Sequence, residues 1–494
     1  MELKLTQEEL SVWNCGEPLE KQSLVSAESV VPDTLPDVGR IVWTQGGLLL
    51  KGKELRPEGV SVSGEVWASV LYLTEGLDAL ESLRLTKPFR VDFENARPDA
   101  EATPTLRWRL DRVEARALNP RKLQASFVVS AQLRCYEKSS LPKNTALPDE
   151  REGLYLLRRQ QEVMAVTGVW EKQFSLREQL PVPAGRPCPD KVLGEELHFE
   201  ELQAERLGTR TVIKGSVKLS LWGLDDRGLP QRQYYSLPFS QLLDTGETEW
   251  SEYSLHIEPS SAYLSWVESA AGERSLDAEI HAVAQLCVYD RVTTVTAADA
   301  YSTRMPCQAQ GEERRFLRRL EQEIVRLRAD TTLPMPDDAG ELLAVQRFWE
   351  PLEVNRESIG QSLTLDLLYR KKDGGMACAR RSLRLEQDAV QDGVGLQETR
   401  ETLLDLRPEE DRLHLRCESE ASFLREERQS VFCVTGLALD EDQAWGSETW
   451  PELFLVRRRE GEGLWDLAKA YRSSVEAIAA RNPEDAELLL VPRE

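Results

Sequence analysis

The stretch LDAEIHAVAQLCVYD, Leu276–Asp290, decides the fold, because a near copy of it, LQASFVVSAQLRCYE, stands at Leu123–Glu137. Both open on Leu and carry Ala-Gln-Leu at the same place (Ala131, Gln132, Leu133; Ala284, Gln285, Leu286). Both end on a Tyr followed by an acid, Tyr136 and Tyr289, and the offset is 153 residues. A third version, LHLRCESEASFLREE, begins at Leu413 and keeps the Leu-to-Ala spacing through Ala421 while losing the Gln and the Tyr. Apolar residues alternate loosely along these runs, as they do along a strand with one face in a core.

Landmarks upstream repeat at nearly the same distance. Pro36-Asp37 answers to Pro189-Asp190, Gly64 in SVSGEVWASVLY to Gly215 in VIKGSVKLSLWG, and Pro88-Phe89 to Pro238-Phe239. In the third copy Pro334 and Gly360, in ESIGQSLTLDLLY, keep the order, but no Pro-Phe pair follows. A period this long marks tandem domains, since solenoid repeats run to roughly 20–50 residues. The expected organisation is mainly β: all-β units over 1–147, 148–294 and a degenerate 295–445, then a small module over 452–494.

Val60, Val62, Gly64 and Val66 alternate with Ser61, Ser63, Glu65 and Trp67. Val212–Leu221 and Ser362–Tyr369 repeat the pattern, and turn clusters such as Asn119-Pro120 and Asp225-Asp226-Arg227-Gly228 separate the runs. Two segments resist a strand reading. GLYLLRRQQEVM near Gly153 and RRFLRRLEQEIVRLR near Arg314, whose Phe316, Leu317, Leu320, Ile324 and Leu327 fall near one helical face, read as short helices or edge strands at the joins. In the tail, FLVRRR reads as a strand broken by Gly461-Glu462-Gly463. Leu464, Leu467, Ala468 and Tyr471 recur at helical spacing, Ser473-Ser474 caps a second helix through Val475, Ile478 and Ala479, and LLLVP closes as a strand: β-α-α-β.

With 62 Lys and Arg against 85 Asp and Glu, the formal charge is −23, which repels phosphate backbones and anionic lipid and argues against nucleic acid. The N-terminus MELKLTQEELSVWNC lacks the pattern of a signal peptide, and no apolar run is long enough to span a bilayer, so a cytoplasmic protein is expected. The cysteines, 15, 135, 188, 287, 307, 378, 417 and 433, are scattered without CxxC, and Cys135 and Cys287, inside strand-like runs, read as small buried hydrophobes. Gly47, Gly52 and Lys53 stand at P-loop spacing, but Glu54 replaces the magnesium-binding hydroxyl and Leu48-Leu49-Leu50 suits a strand. His198, His256, His281 and His414 show no metal or triad spacing. The expectation is a non-enzymatic chain without cofactor or metal.

On about 100° per residue, Trp465 sits at the edge of the arc formed by Leu464, Leu467, Ala468 and Tyr471. A half-exposed tryptophan there suits a protein interface or a sugar face, the alternative being an edge residue packed on its own module. Arg457, Arg458 and Arg459 form the basic run near it, suited to an acidic patch or to solvent.

EGEGLWDLAKAYRSSVEAIAARNPEDAELLLVP resembles a LysM module at Gly461, Leu464, Trp465, Leu467, Ala468, Tyr471, Val475, Ile478, Asn482 and Pro492. It departs from the family at the Gly-Asp-Thr turn, here Gly461-Glu462-Gly463, and in lacking the Pro-Gly-Gln turn before the last strand. Both turns flank the groove in which LysM modules hold N-acetylglucosamine chains. The repeats resemble SPOCS domains in the Pro-Asp entry, the Gly-centred strand ending in Leu-Tyr, the Pro-Phe pair and DAYSTRM at Asp299–Met305. SPOCS units followed by one LysM are the layout of the SipL family of spore coat morphogenetic proteins. That resemblance implies a mother-cell protein at the forespore surface whose LysM module binds the spore coat ATPase SpoIVA, with other coat proteins as further partners. Gly463, Leu464, Trp465, Tyr471, Asn482 and Arg458 are then the expected contact residues. Peptidoglycan binding through the LysM module is the second reading and an enzyme the third.

Overall fold

The computed structural model describes every residue except 1, 77–78, 95–98, 100, 149–150, 183–188, 190, 226–227, 269–272, 389–393, 410, 446–450, 460, 484–485 and 494. Asp190, Asp226, Arg227 and Cys188 therefore lie outside the described residues.

The chain is almost entirely strand. Residues up to Ala146 form β1 (Glu2–Lys4), β2 (Thr6–Cys15), β3 (Leu19–Val30), β4 (Val38–Arg56), β5 (Gly59–Thr74), β6 (Leu80–Phe93), β7 (Thr103–Asn119) and β8 (Lys122–Ala146). The middle of the chain forms β9 (Leu154–Pro181), β10 (Lys191–Leu207), β11 (Arg210–Leu224), β12 (Pro230–Asp244), β13 (Glu252–Glu268) and β14 (Arg274–Ser302). There follow β15 (Cys307–Pro334), β16 (Ala339–Trp349), β17 (Glu353–Val354), β18 (Ser358–Lys371), β19 (Met376–Asp388), β20 (Val394–Pro408) and β21 (Arg412–Leu439). The tail forms β22 (Leu453–Arg457), α1 (Leu464–Tyr471), α2 (Val475–Ala479) and β23 (Leu488–Pro492).

One wiring recurs three times. The last strand of each unit, β8, β14 or β21, pairs antiparallel with the strand that leads into the meander (β3) or opens the unit (β9, β15) on one side and with the penultimate strand (β7, β13, β20) on the other. A meander of three strands, β4-β5-β6, β10-β11-β12 or β16-β18-β19, forms a second sheet over it. The two sheets close a sandwich by burying their alternating apolar faces on each other. Phe127 and Val25 meet Val66 and Tyr72 in the first unit, Phe174 and Leu276 meet Leu219 and Leu237 in the second, and Leu413 and Phe423 meet Leu363 and Leu365 in the third. The repeated motif thus supplies, in each unit, the strand flanked on both sides by strands of its own unit, and all three lie in one 11-stranded sheet. Its leading residue, Leu123, Leu276 or Leu413, is fully buried in every copy.

Pairing across the meander explains why the Pro-Phe pair travels with the glycine. Gly64 lies directly opposite Phe89, and Gly215 opposite Phe239. A Cβ on Gly64 would strike Trp108 and come within 2.9 Å of the Phe89 ring, and one on Gly215 would come within 2.8 Å of Phe239. The missing side chain is the space the aromatic ring uses. Gly360 faces Glu386 instead, and a Cβ there would meet only the guanidinium end of Arg384 within 3.2 Å.

The two segments that resist a strand reading are strands, β9 and β15. A β-bulge between Leu317 and Arg319 shifts the phase of β15. Phe316 is buried ahead of it and Val325 and Leu327 after it, while Ile324 is exposed. Two strand phases read across a bulge mimic a helical stripe. The expected joint at 294/295 falls inside β14, which runs unbroken to Ser302.

Beyond the sandwiches the paired opening and closing strands of the three units continue and pack together in a central hub. Val12 and Leu141, Val163 and Ala165, and Phe316 and Cys433 come from the three units into one cluster, and Tyr136, Met164, Tyr289, Trp13 and Leu317 into another. The meanders also meet, with Trp43 against Trp222 at 5.2 Å and Leu368 beside them. Lys53, from the glycine-lysine run in β4, is buried between the first two units. It is ion-paired with Glu171 and donates to the carbonyl of Pro104 at 2.6 Å and to Gln285 Oε1 at 3.1 Å. Burial pulls its pKa down against the opposing pull of Glu171.

Candidate interaction site

The tail module is a two-stranded sheet, β22 against β23, with α1 and α2 on one face. Leu467, Ala468, Ile478, Leu489 and Val491 fill the space between. Ser474 caps α2 by accepting from the Ala477 N–H at 3.1 Å, as its position predicts. Arg472, in the left-handed region at φ 56°, ends α1.

Of the six expected contact residues, the structure turns four to internal work. The Trp465 indole N–H donates to Asp299 Oδ2 at 2.9 Å, and its ring stands edge-on to Tyr301 at 4.7 Å. It is half-buried, as its place at the edge of the arc suggests, and what covers it is the end of β14 together with the core of its own module. Asn482 is a staple: its amide donates to the carbonyls of Ile478 and Leu490 at 2.7 and 2.8 Å, and its Oδ1 accepts from the Leu490 N–H at 2.7 Å. Those three bonds tie the end of α2 to β23 and use the polar atoms a ligand would need. Tyr471 packs its ring on Phe454 at 5.1 Å, and Leu464 lies half-buried against the same core. Gly463 is the N-cap of α1 in extended backbone, its N–H bonded to Asp466 Oδ2 at 2.9 Å. The position that needs glycine is Gly461, at φ 83°. Arg458 is exposed, its Nε donating to the Glu462 carbonyl at 2.7 Å.

The seat of the module is the phrase DAYSTRM. Asp299 receives Lys469 Nζ at 2.7 and 2.8 Å beside the Trp465 bond, and Tyr301 donates its hydroxyl proton to the Ser473 carbonyl at 2.8 Å while stacking on Tyr155 at 5.2 Å. Arg304 accepts the Trp445 N–H on its carbonyl at 2.8 Å, and Arg472 lies 3.6 Å over the Trp445 ring. Burial alone would raise the Asp299 pKa. The hydrogen bonds from Lys469, Trp465 and the Ala300 N–H outweigh it and hold the carboxyl below its ordinary value. Asp299 and Tyr301 could have been marked in the sequence as a polar-aromatic phrase at a strand end. Nothing local there specified the module as their partner.

Elsewhere, His256, His281 and His414 each contact a neighbouring carboxylate, Glu258 at 2.7 Å, Glu279 at 2.9 Å and Asp330 at 3.2 Å. Among the described residues no group of three or more His, Cys, Asp or Glu is placed to hold a metal ion, and no helix is long and apolar enough to cross a membrane. Comparison of the chain with protein-family models, with curated proteins and with solved structures finds no match.

Proposed function

We propose that this chain is a non-enzymatic scaffold of spore coat assembly, of the SipL kind, that presents its C-terminal LysM-like module to the spore coat ATPase SpoIVA at the forespore surface. The observation that carries the reading is the seating of the module. One side of it is bolted to β14 through Asp299 and Tyr301, which leaves its sheet turned outward on a body of three interlocked sandwiches. A body of packed units with one outward-facing module suits a tether, and the polar atoms of Asn482 are already spent within the module, which weighs against a glycan groove there. The test is binding of the purified full chain to purified SpoIVA by biolayer interferometry, with soluble peptidoglycan fragments as competitor. Saturable binding that the fragments do not displace is the expected result. Binding of fragments without SpoIVA would transfer the module to wall recognition, and binding of neither would remove the reading.

A further inference from the structure

The sheet of the module is covered on one face only. Along β22 and β23, Phe454, Val456, Leu489 and Val491 point under the helices. The alternate residues Leu453, Leu455, Leu488 and Leu490 point the other way and are 49, 67, 52 and 38% exposed. Leu455 lies directly across from Leu490, and Arg457 directly across from Leu488, so the leucines form one patch with an arginine at its end. Arg458 and Arg459 follow immediately and are exposed too. The carboxylate of Glu487 stands 3.7 Å from Arg457, both side chains reaching into solvent. Four large apolar side chains side by side on a sheet of two strands are not the scattered leucines of an ordinary surface.

We propose that this face docks an acidic amphipathic helix of a partner protein, leucines against its apolar stripe and Arg457–Arg459 against carboxylates on its flank. The length fits. Five residues of strand extend about 16 Å, which is about three helical turns and takes apolar anchors at i, i+3, i+4 and i+7. The charge fits as well, because three successive arginines in a chain of net charge −23 form a local basic end that an acidic helix neutralises. A second copy packed face to face on a sheet of two five-residue strands covers far less than the roughly 1,000 Å² a stable interface requires. An anionic bilayer would be repelled by the body of the chain. The inference concerns the chemistry of the occupant and holds whatever the partner's identity.

The test uses the full chain and two fluorescent peptides of about 18 residues with leucines at helical spacing, one flanked by glutamates and one by lysines. Fluorescence anisotropy should show micromolar binding of the glutamate peptide and roughly tenfold weaker binding of the lysine peptide. L455E/L490E should abolish binding, R457E/R458E should reverse the preference, and W465F, on the docked side, should leave it unchanged. The leucine variants replace outward-facing side chains, so an unaltered circular dichroism spectrum is expected. The proposal is overturned if neither peptide binds, if both bind equally, or if binding survives L455E/L490E. It is also overturned if sedimentation shows a dimer that L455E dissolves, or if phosphatidylglycerol vesicles bind where the peptides do not.

Discussion

Removing the Asp299 carboxylate should release the tail module from the body. The carboxylate takes a hydrogen bond from the Trp465 indole at 2.9 Å and an ion pair from Lys469 at 2.7 Å. A hydrogen bond to a charged group contributes about 1.5–3 kcal/mol, whereas an ion pair as open as this one, with Lys469 nearly half exposed, contributes under about 1 kcal/mol. The edge-on contact of Trp465 with Tyr301 survives the change. Asp299→Ala should therefore weaken docking by about 2 kcal/mol, raising the undocked population roughly 30-fold. Hydroxyl-radical footprinting of the Trp465 and Tyr301 rings, which cover each other only in the docked state, reads that population. In a double-mutant cycle, Asp299→Ala with Trp465→Phe should show a coupling of about 1–2 kcal/mol, and Asp299→Ala with Lys469→Met less than about 1 kcal/mol. Because the bound carboxyl is held below its ordinary value, its contribution is complete above about pH 4 and is lost as the pH falls further through the depressed pKa. A Trp465 coupling below about 0.3 kcal/mol, or a larger one for Lys469, would refute the reasoning.

Three further outcomes are expected. Gly64→Ala and Gly215→Ala should each cost about 1–3 kcal/mol in thermal unfolding through collision with Trp108, Phe89 and Phe239, while Gly360→Ala, which meets the movable end of Arg384, should be close to neutral. Glu426→Ala strands Arg134 in the hub and should cost about 3 kcal/mol, whereas replacing both with leucine should cost much less, as measured by urea midpoints. Burial pushes the Cys287 thiol up to about 12 and the Cys417 thiol to about 11. Below those values both stay protonated in the native chain, so alkylation followed by peptide mapping should label them at pH 8 only after denaturation.

What could be read without coordinates was whatever repeats or alternates. The Leu-to-Ala spacing marked the closing strand of each unit because Leu123, Leu276 and Leu413 do the same work in three cores. Gly64 and Phe89 stood out as a pair because one makes room for the other. The reading lost its footing in β15, where the bulge at Leu317 changes strand phase, and in β14, where the joint was expected inside a continuous strand. Site residues fared according to range. Leu464 and Tyr471 follow from helical spacing within the module, but the partner of Trp465 lies 166 residues away at Asp299, and periodicity says nothing about such a contact. The outward leucines had a signal in the unbroken apolar run LFLV of β22. Apolar residues on both faces of a strand ask for cover on both sides, and the helices supply it on one.

The drift of the third repeat has a physical reason at the hub. Tyr136 and Tyr289 follow their leading leucines by 13 residues, and the residue at that distance from Leu413 is Glu426. Both tyrosines are buried, and burial holds their hydroxyls neutral, far above the ordinary tyrosine range. A carboxylate in the third place needs a cation, and Arg134 of the first unit provides it, supported by Arg428 at 2.8 Å from Glu426. Burial alone would raise the Glu426 pKa, but these guanidiniums hold it below its ordinary value. The residues standing where Arg134 stands are Cys287 in the second unit and Leu424 in the third, neither of which can serve. Arginine thus occurs at this position in the first unit alone and glutamate at its partner position in the third alone. Three strand pairs built alike could pack in more than one arrangement, and a largely buried ion pair available only between the first and third units disfavours arrangements that separate its members. With glutamate in place of the tyrosine, units of one wiring gain a contact specific to the first and the third, and DAYSTRM at the end of β14 is positioned to receive the module.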